Sequence, residues 1–144
     1  MYSYAVVGYF DEITENIFKS YWNHLNENKI TDYVVNSKGK RPHITIADYD
    51  DLNKSEFIDY MIKFYKNKES IDISFNVLGT FIETGTLFVS PATSKALLDF
   101  HKVHHTNFIN FKDNNQSLYL PERWFPHCTI ASRLDDRNTL KAIE

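Results

Sequence analysis

The strings PHITIA at Pro42–Ala47 and PHCTIA at Pro126–Ala131 differ at a single position, and each sets a histidine and a threonine two residues apart. In an extended strand, residues two apart share a face. His43 and Thr45 are therefore expected on one side with Ile44 and Ile46 on the other, and His127 and Thr129 opposite Cys128 and Ile130. Two such strands would line a cleft with two imidazoles and two hydroxyls. The chemistry that needs this set is displacement at phosphorus. One neutral imidazole takes a proton from the attacking hydroxyl or water while the other, protonated, gives one to the leaving oxygen, each transfer being worth roughly 10²–10⁴ in rate. Threonine hydroxyls can donate to the non-bridging oxygens, where transition-state charge is held. Such a scheme calls for no metal and no cofactor.

The repeat extends past the six residues, since a pair of aspartates and a helix-like segment follow each copy. Internal duplication explains this better than chance. The elements that must position the motifs are legible around them. Tyr4–Phe10 reads as a strand, and Asp11 offers an N-cap to a helix carrying Ile13, Ile17, Phe18, Tyr21, Trp22 and Leu25. DYVVN at 32–36 reads as a strand, SKGK as a turn and His43–Ala47 as a second strand, which predicts a hairpin. Lys54–Tyr65 has helical spacing. Ile71–Val77 alternates apolar and polar residues as a half-buried strand does, Gly79 and Thr84–Gly85 mark turns, and Thr80–Ile82 and Thr86–Ser90 are further strands of a meander. After Pro91 a helix with Leu97, Leu98 and Phe108 runs to about Asn110, and the polar KDNNQS breaks it before SLYLPERWFP leads to the second motif.

At 144 residues, with 42% hydrophobic and 15% aromatic content, the chain suits one domain with a sizeable core. It has no apolar run long enough to span a bilayer, and MYSYAVVGYFDEI lacks the features of a secretory signal, so no membrane partner and a cytoplasmic location are expected. The lone Cys128 excludes an internal disulfide and a cysteine-rich zinc site. A net charge of −3 disfavours long nucleic acids but leaves small anionic substrates open. Basic residues gather at the motifs nonetheless, with Lys38, Lys40 and Arg41 before His43 and Arg123 and Arg133 around His127. Arg41 and Arg133 are candidates for added phosphate contacts, against the ordinary fate of such residues as solvated charges. Trp124, Tyr119 and Tyr49 stand near the motifs and could stack on a base, with core packing the competing role. His101 and His105 have the i,i+4 spacing of metal-binding helices, but neither HExxH nor a second cysteine accompanies them, and His101 shares a stripe with Leu97 and Phe108, so no metal is expected there. Cys128 faces away from His127 and is expected to fill core rather than act as a nucleophile.

HITI and HCTI resemble the His, apolar, Thr, apolar motif of the two-histidine (2H) phosphoesterase superfamily, which includes 2′-5′ RNA ligase-like proteins and cyclic nucleotide phosphodiesterases. The resemblance covers nearly the whole chain. It implies an α+β, bilobal, pseudo-twofold fold, with antiparallel sheets lining a central groove and helices outside. It also implies that His43 and His127 are acid and base and that Thr45 and Thr129 hold the phosphate. The activity implied is metal-independent hydrolysis of a 2′,3′-cyclic phosphate or 2′-5′ phosphodiester in a nucleotide or short RNA, with 2′-5′ RNA ligation or a non-catalytic RNA-binding role as alternatives. Two departures stand out. Many members carry a basic residue five positions after the second histidine, where this chain has Ser132 and only then Arg133. The family usually adds a strand after the last helix, whereas this sequence stops at Glu144 within such a helix, which reads as a single domain, 1–144, truncated at its C-terminus or left with an unpaired strand edge.

Overall fold

The computed structural model describes residues 3–111 and 116–144. Its elements run β1 (Ser3–Tyr9), α1 (Glu12–Glu27), α2 (Tyr33–Asn36), β2 (His43–Asp50), α3 (Lys54–Tyr65), β3 (Phe75–Phe81), β4 (Thr86–Pro91), α4 (Lys95–Asn107), β5 (Cys128–Ala131) and α5 (Asp136–Ile143). β1 pairs with β2, and β3, β4 and β5 form a second sheet in that order. Most of the KDNNQS break lies outside the described residues.

The chain divides into two compact units. The first holds the chain through Val7 together with Thr45–Ser74 and Thr93–Phe125; the second holds Gly8–Ile44, Phe75–Ala92 and Pro126–Glu144. β5 lies wholly in the second unit, whereas β2 passes from the second to the first between Ile44 and Thr45.

In the second unit, α1 starts where Asp11 accepts a hydrogen bond from the Thr14 N–H at 2.9 Å. Its Phe18, Trp22 and Leu25 bury against Leu87, Cys128, Ile130 and Ala131 of the three-stranded sheet. β3 and β4 are joined by a tight loop in which the Thr84 and Gly85 N–H groups donate to the Phe81 carbonyl at 3.2 and 2.9 Å. Gly85 has φ +60°, and a Cβ there would stand 2.2 Å from the Leu134 carbonyl oxygen. The loop can thus press its backbone onto the segment leaving β5, where the Leu134 N–H donates to the Gly85 carbonyl at 3.0 Å.

Four expectations differ from the structure. Residues 33–36 form a helical turn, not a strand: the Val35 and Asn36 N–H groups both donate to the Asp32 carbonyl at 3.0 Å, and Tyr33 lays its ring edge-on to Trp22 at 5.5 Å. The SKGK turn exists, with Gly39 at φ +80°, but no hairpin precedes His43. The alternating stretch 71–77 becomes strand only from Phe75, because the register that pairs Phe75 with Pro91 exhausts β4 and leaves 71–74 without a partner. Gly79, expected at a turn, sits inside β3.

In the first unit, α3 matches the predicted Lys54–Tyr65, and α4 is capped by Ser94, which accepts from the Leu97 N–H at 3.2 Å. The core is aromatic. Tyr49 and Phe108 are fully buried, Phe57 lies between them, and three α4 histidines, His101, His104 and His105, are buried with them. His101 and His105 both donate from Nε2 to the Ile46 carbonyl, at 2.9 and 3.1 Å. His104 is held between the Tyr49 and Tyr65 hydroxyls, at 2.9 and 2.7 Å.

Burial, followed by the proximity of His105, pushes His101 down to about 4 and His104 to about 3 from an ordinary 6.5. The unfolded chain takes up protons on these rings as pH falls through 6.5 and the folded chain only near 4 and 3, so their contribution is whole above 6.5 and is lost on acidification. Each ring should cost about 1.4 kcal/mol of stability per pH unit across that window. Urea unfolding between about pH 7.5 and 4.5 should show this slope, and His104→Gln, which keeps a donor and an acceptor, should flatten it. An unchanged slope in that variant would show that His104 is not the group responsible.

Candidate active site

Both motif strands follow a fully buried proline, Pro42 or Pro126. Along β2, and from His127 into β5, burial alternates as the pattern requires: Ile44, Ile46, Cys128 and Ile130 are buried, while His43, Thr45, His127 and Thr129 are partly exposed. The hydrophobic effect therefore chooses the polar face by burying the other.

His43 and His127 both belong to the second unit. There burial pushes the Cys128 thiol up to about 12, with the His43 backbone amide acting in the opposite direction. Cys128 is a buried free cysteine that stays protonated, as a core residue rather than a nucleophile. The His43 Nδ1 lies 2.6 Å from the Arg41 carbonyl oxygen. A carbonyl only accepts, so Nδ1 carries the hydrogen and the neutral ring presents the Nε2 lone pair, the arrangement a general base needs. After taking a proton, the same nitrogen becomes a donor.

His127 is held differently. Its ring meets Phe81 edge-on at 4.9 Å and Phe88 at 5.5 Å, and those two rings pack on each other at 4.4 Å. The register explains this shelf, since Gly79 pairs with Phe88 and Phe88 pairs with Thr129, so all three share one face across the sheet. Gly79 makes room for it: a Cβ there would stand 2.7 Å from the Phe88 Cζ. At the β4 end, the buried Ser90 hydroxyl donates to the Pro126 carbonyl at 2.7 Å and fixes the approach to His127.

Arg41 is engaged by an acid. Its Nε and Nη2 reach the Glu15 carboxylate at 2.9 and 2.5 Å, and its guanidinium lies 4.1 Å from the centre of the Tyr9 ring. Lys19 adds a contact to Glu15 at 2.6 Å. The Arg41 guanidinium, then Lys19, pull the buried Glu15 carboxyl down to about 2. Arg133 is exposed, with a left-handed backbone at φ 58°. In place of a base-stacking position, Tyr49 takes a core position with no exposed face, its hydroxyl on His104. Trp124 is half-buried and stacks on His101 at 3.7 Å, and its indole N–H donates to the Thr45 carbonyl at 2.9 Å. The i,i+4 pair His101 and His105 is spent on the Ile46 carbonyl. Sequence reading missed Glu15, Gly79, Phe81, Phe88 and Ser90. Only Glu15 left a signal, as an acid among the apolar residues of the helix stripe.

An α+β chain with two antiparallel sheets, helices around them and a duplicated His-x-Thr strand motif has the fold of the two-histidine phosphoesterases. The model of the 2′-5′ RNA ligase superfamily matches residues 18–144, and the chain belongs to that superfamily. No curated protein matches the sequence. Membership supports phosphoesterase- or ligase-like activity and suggests RNA or nucleotide substrates. No helix among the described residues is long and apolar enough to cross a membrane.

Gly79→Ala should force the buried Phe88 ring aside and cost about 1–3 kcal/mol in chemical denaturation. The imidazole NMR signals of His127 should move more than those of His43. Equal movement of both rings would show that the Phe88 shelf does not hold His127 in particular.

Proposed function

We propose that this protein hydrolyses a 2′,3′-cyclic phosphate or a 2′-5′ phosphodiester in a nucleotide or short RNA, with His43 and His127 as the acid–base pair and without a metal ion. The observation that carries the reading is the preparation of the two rings. His43 is fixed by the Arg41 carbonyl in the tautomer that leaves Nε2 for proton transfer, and His127 stands on the Phe81–Phe88 shelf beside the partly exposed Thr129. One imidazole takes the proton of the attacking water or hydroxyl as its oxygen bonds to phosphorus, and the other protonates the oxygen that departs. Thr45 and Thr129 hold the non-bridging oxygens by hydrogen bonds that strengthen as charge builds on them. With Arg41 paired to Glu15, the threonines rather than that guanidinium are assigned this role, and Arg133 is the further cation assigned to the substrate. A cytoplasmic location belongs to the same proposal and is supported by the unpaired, buried Cys128.

The test is turnover of a panel of 2′,3′-cyclic nucleotides and 2′-5′ oligoadenylates, with and without EDTA, by the unaltered chain and by His43→Ala and His127→Ala. The unaltered chain should be insensitive to chelator, and each variant should lose at least about 10²-fold in kcat. Its pH–rate profile should be bell-shaped, with one limb missing in each variant. Activity that vanishes with EDTA would end the metal-free reading, and a single alanine variant at full rate would remove that histidine from the pair. RNA binding with no turnover would point to a binding module, and strand joining to a ligase.

A further inference from the structure

The chain has two tryptophans, and each donates its indole N–H to the main-chain carbonyl of a motif threonine. In the second unit Trp22 Nε1 lies 3.1 Å from the Thr129 carbonyl oxygen. In the first unit Trp124 Nε1 lies 2.9 Å from the Thr45 carbonyl oxygen. The two indoles come from unrelated settings, Trp22 from the middle of α1 and Trp124 from the loop before the second motif, yet they end on equivalent atoms. We infer that Trp22 and Trp124 are positioning residues that set the two phosphate-holding threonines, an inference that rests on the function proposed above.

The physical argument runs through the peptide plane. A threonine's carbonyl lies on the same Cα as its side chain, so a hydrogen bond that fixes the carbonyl direction also restricts where the hydroxyl can point. Site groups must be held to within about 0.5 Å to act, and backbone anchoring costs no freedom at the moment of reaction. Each indole is itself held. Trp22 is 4% exposed and packs edge-on to Tyr33 at 5.5 Å. Trp124 stacks nearly parallel on the ring of His101, at 3.7 Å and 5°, and His101 in turn donates to the carbonyl of Ile46, the residue after Thr45. Two successive peptide planes of β2 are thus held from one side chain stack. Neither indole N–H is left to reach substrate, so the role is exerted through the threonine and not on the reacting atoms.

Trp22→Phe and Trp124→Phe keep an aromatic ring and remove the donor. Each should lower kcat on the best cyclic nucleotide of the panel by about tenfold, the scale of one hydrogen bond, with KM nearly unchanged. The decisive readout is a pair of double-mutant cycles. In a Thr45→Val background Trp124→Phe should cost less than about twofold, as should Trp22→Phe in a Thr129→Val background, whereas the crossed pairs should multiply. Thermal unfolding of every variant separates lost fold from lost positioning, because a merely structural tryptophan would cost the same in either threonine background. Multiplicative behaviour within a pair overturns the inference while leaving the proposed hydrolysis standing. Absence of turnover by the unaltered chain overturns the hydrolysis instead, and the same cycles are then read on the Kd for a nucleoside 2′-monophosphate: non-additivity within pairs supports the positioning role, and additive or undetectable binding overturns it.

Discussion

The packing of Cys128 and Ile130 onto Phe18, Trp22 and Leu25 is the constraint from which the rest of the site follows. β5 is only four residues long and takes its register from one neighbour, β4. A shift of one residue would bury His127 and Thr129 and expose Cys128 and Ile130. Losing burial of an isoleucine costs about 1.5–3 kcal/mol, and a buried imidazole or hydroxyl without partners adds a comparable penalty. The apolar face therefore decides the direction of the polar one, and the chemistry-bearing residues need no stabilising role of their own. The same sheet supplies the support on its other face, because the register that seats Cys128 beside Val89 also sets Thr129 beside Phe88.

A second constraint is electrostatic and acts on His43 at one remove. Glu15, buried on α1, would be costly as a lone charge, but Arg41 and Lys19 both reach it and keep it ionised to about pH 2. Arg41 is thereby fixed at its side chain, stacked over Tyr9, and its carbonyl is the acceptor that holds Nδ1 of His43. The ion pair is partly exposed and contributes little through attraction alone. Its consequence is orientation: a side chain anchored to α1 restrains the main chain that selects the imidazole tautomer.

Much of this was legible in the sequence for an identifiable reason. Period-2 burial at 43–46 and 127–130 is written in residue type, so the polar and apolar faces could be assigned from the strings alone. The helix α1 announced itself through a cap and a stripe, and α3 through its helical spacing. What failed was local propensity without a partner. DYVVN has strand composition, but with no strand beside it the chain turns helical and uses Tyr33 against Trp22. The alternation at 71–74 met the end of β4. Gly79 read as a turn because a glycine inside a strand has meaning only when the ring that crosses it, Phe88, is known. Arg41 could be placed near His43 by sequence, but its Glu15 partner is a long-range pairing that no local pattern encodes.

The duplication of the motif does not extend to its surroundings. His43 is fixed through a main-chain oxygen at Nδ1, and His127 has the Phe81–Phe88 shelf against its ring. A carbonyl at Nδ1 selects the tautomer of His43 by accepting its hydrogen, whereas the aromatic rings set the position of His127 by packing alone. The repeated residues thus supply two equivalent imidazoles, and the unrepeated ones, Arg41 on one side and Phe81, Phe88 and Gly79 on the other, make them inequivalent. Any division of the proton-transfer roles between the two rings is assigned to those supports, since PHITIA and PHCTIA differ only at the residue after the histidine, Ile44 or Cys128, which faces the other side of the strand.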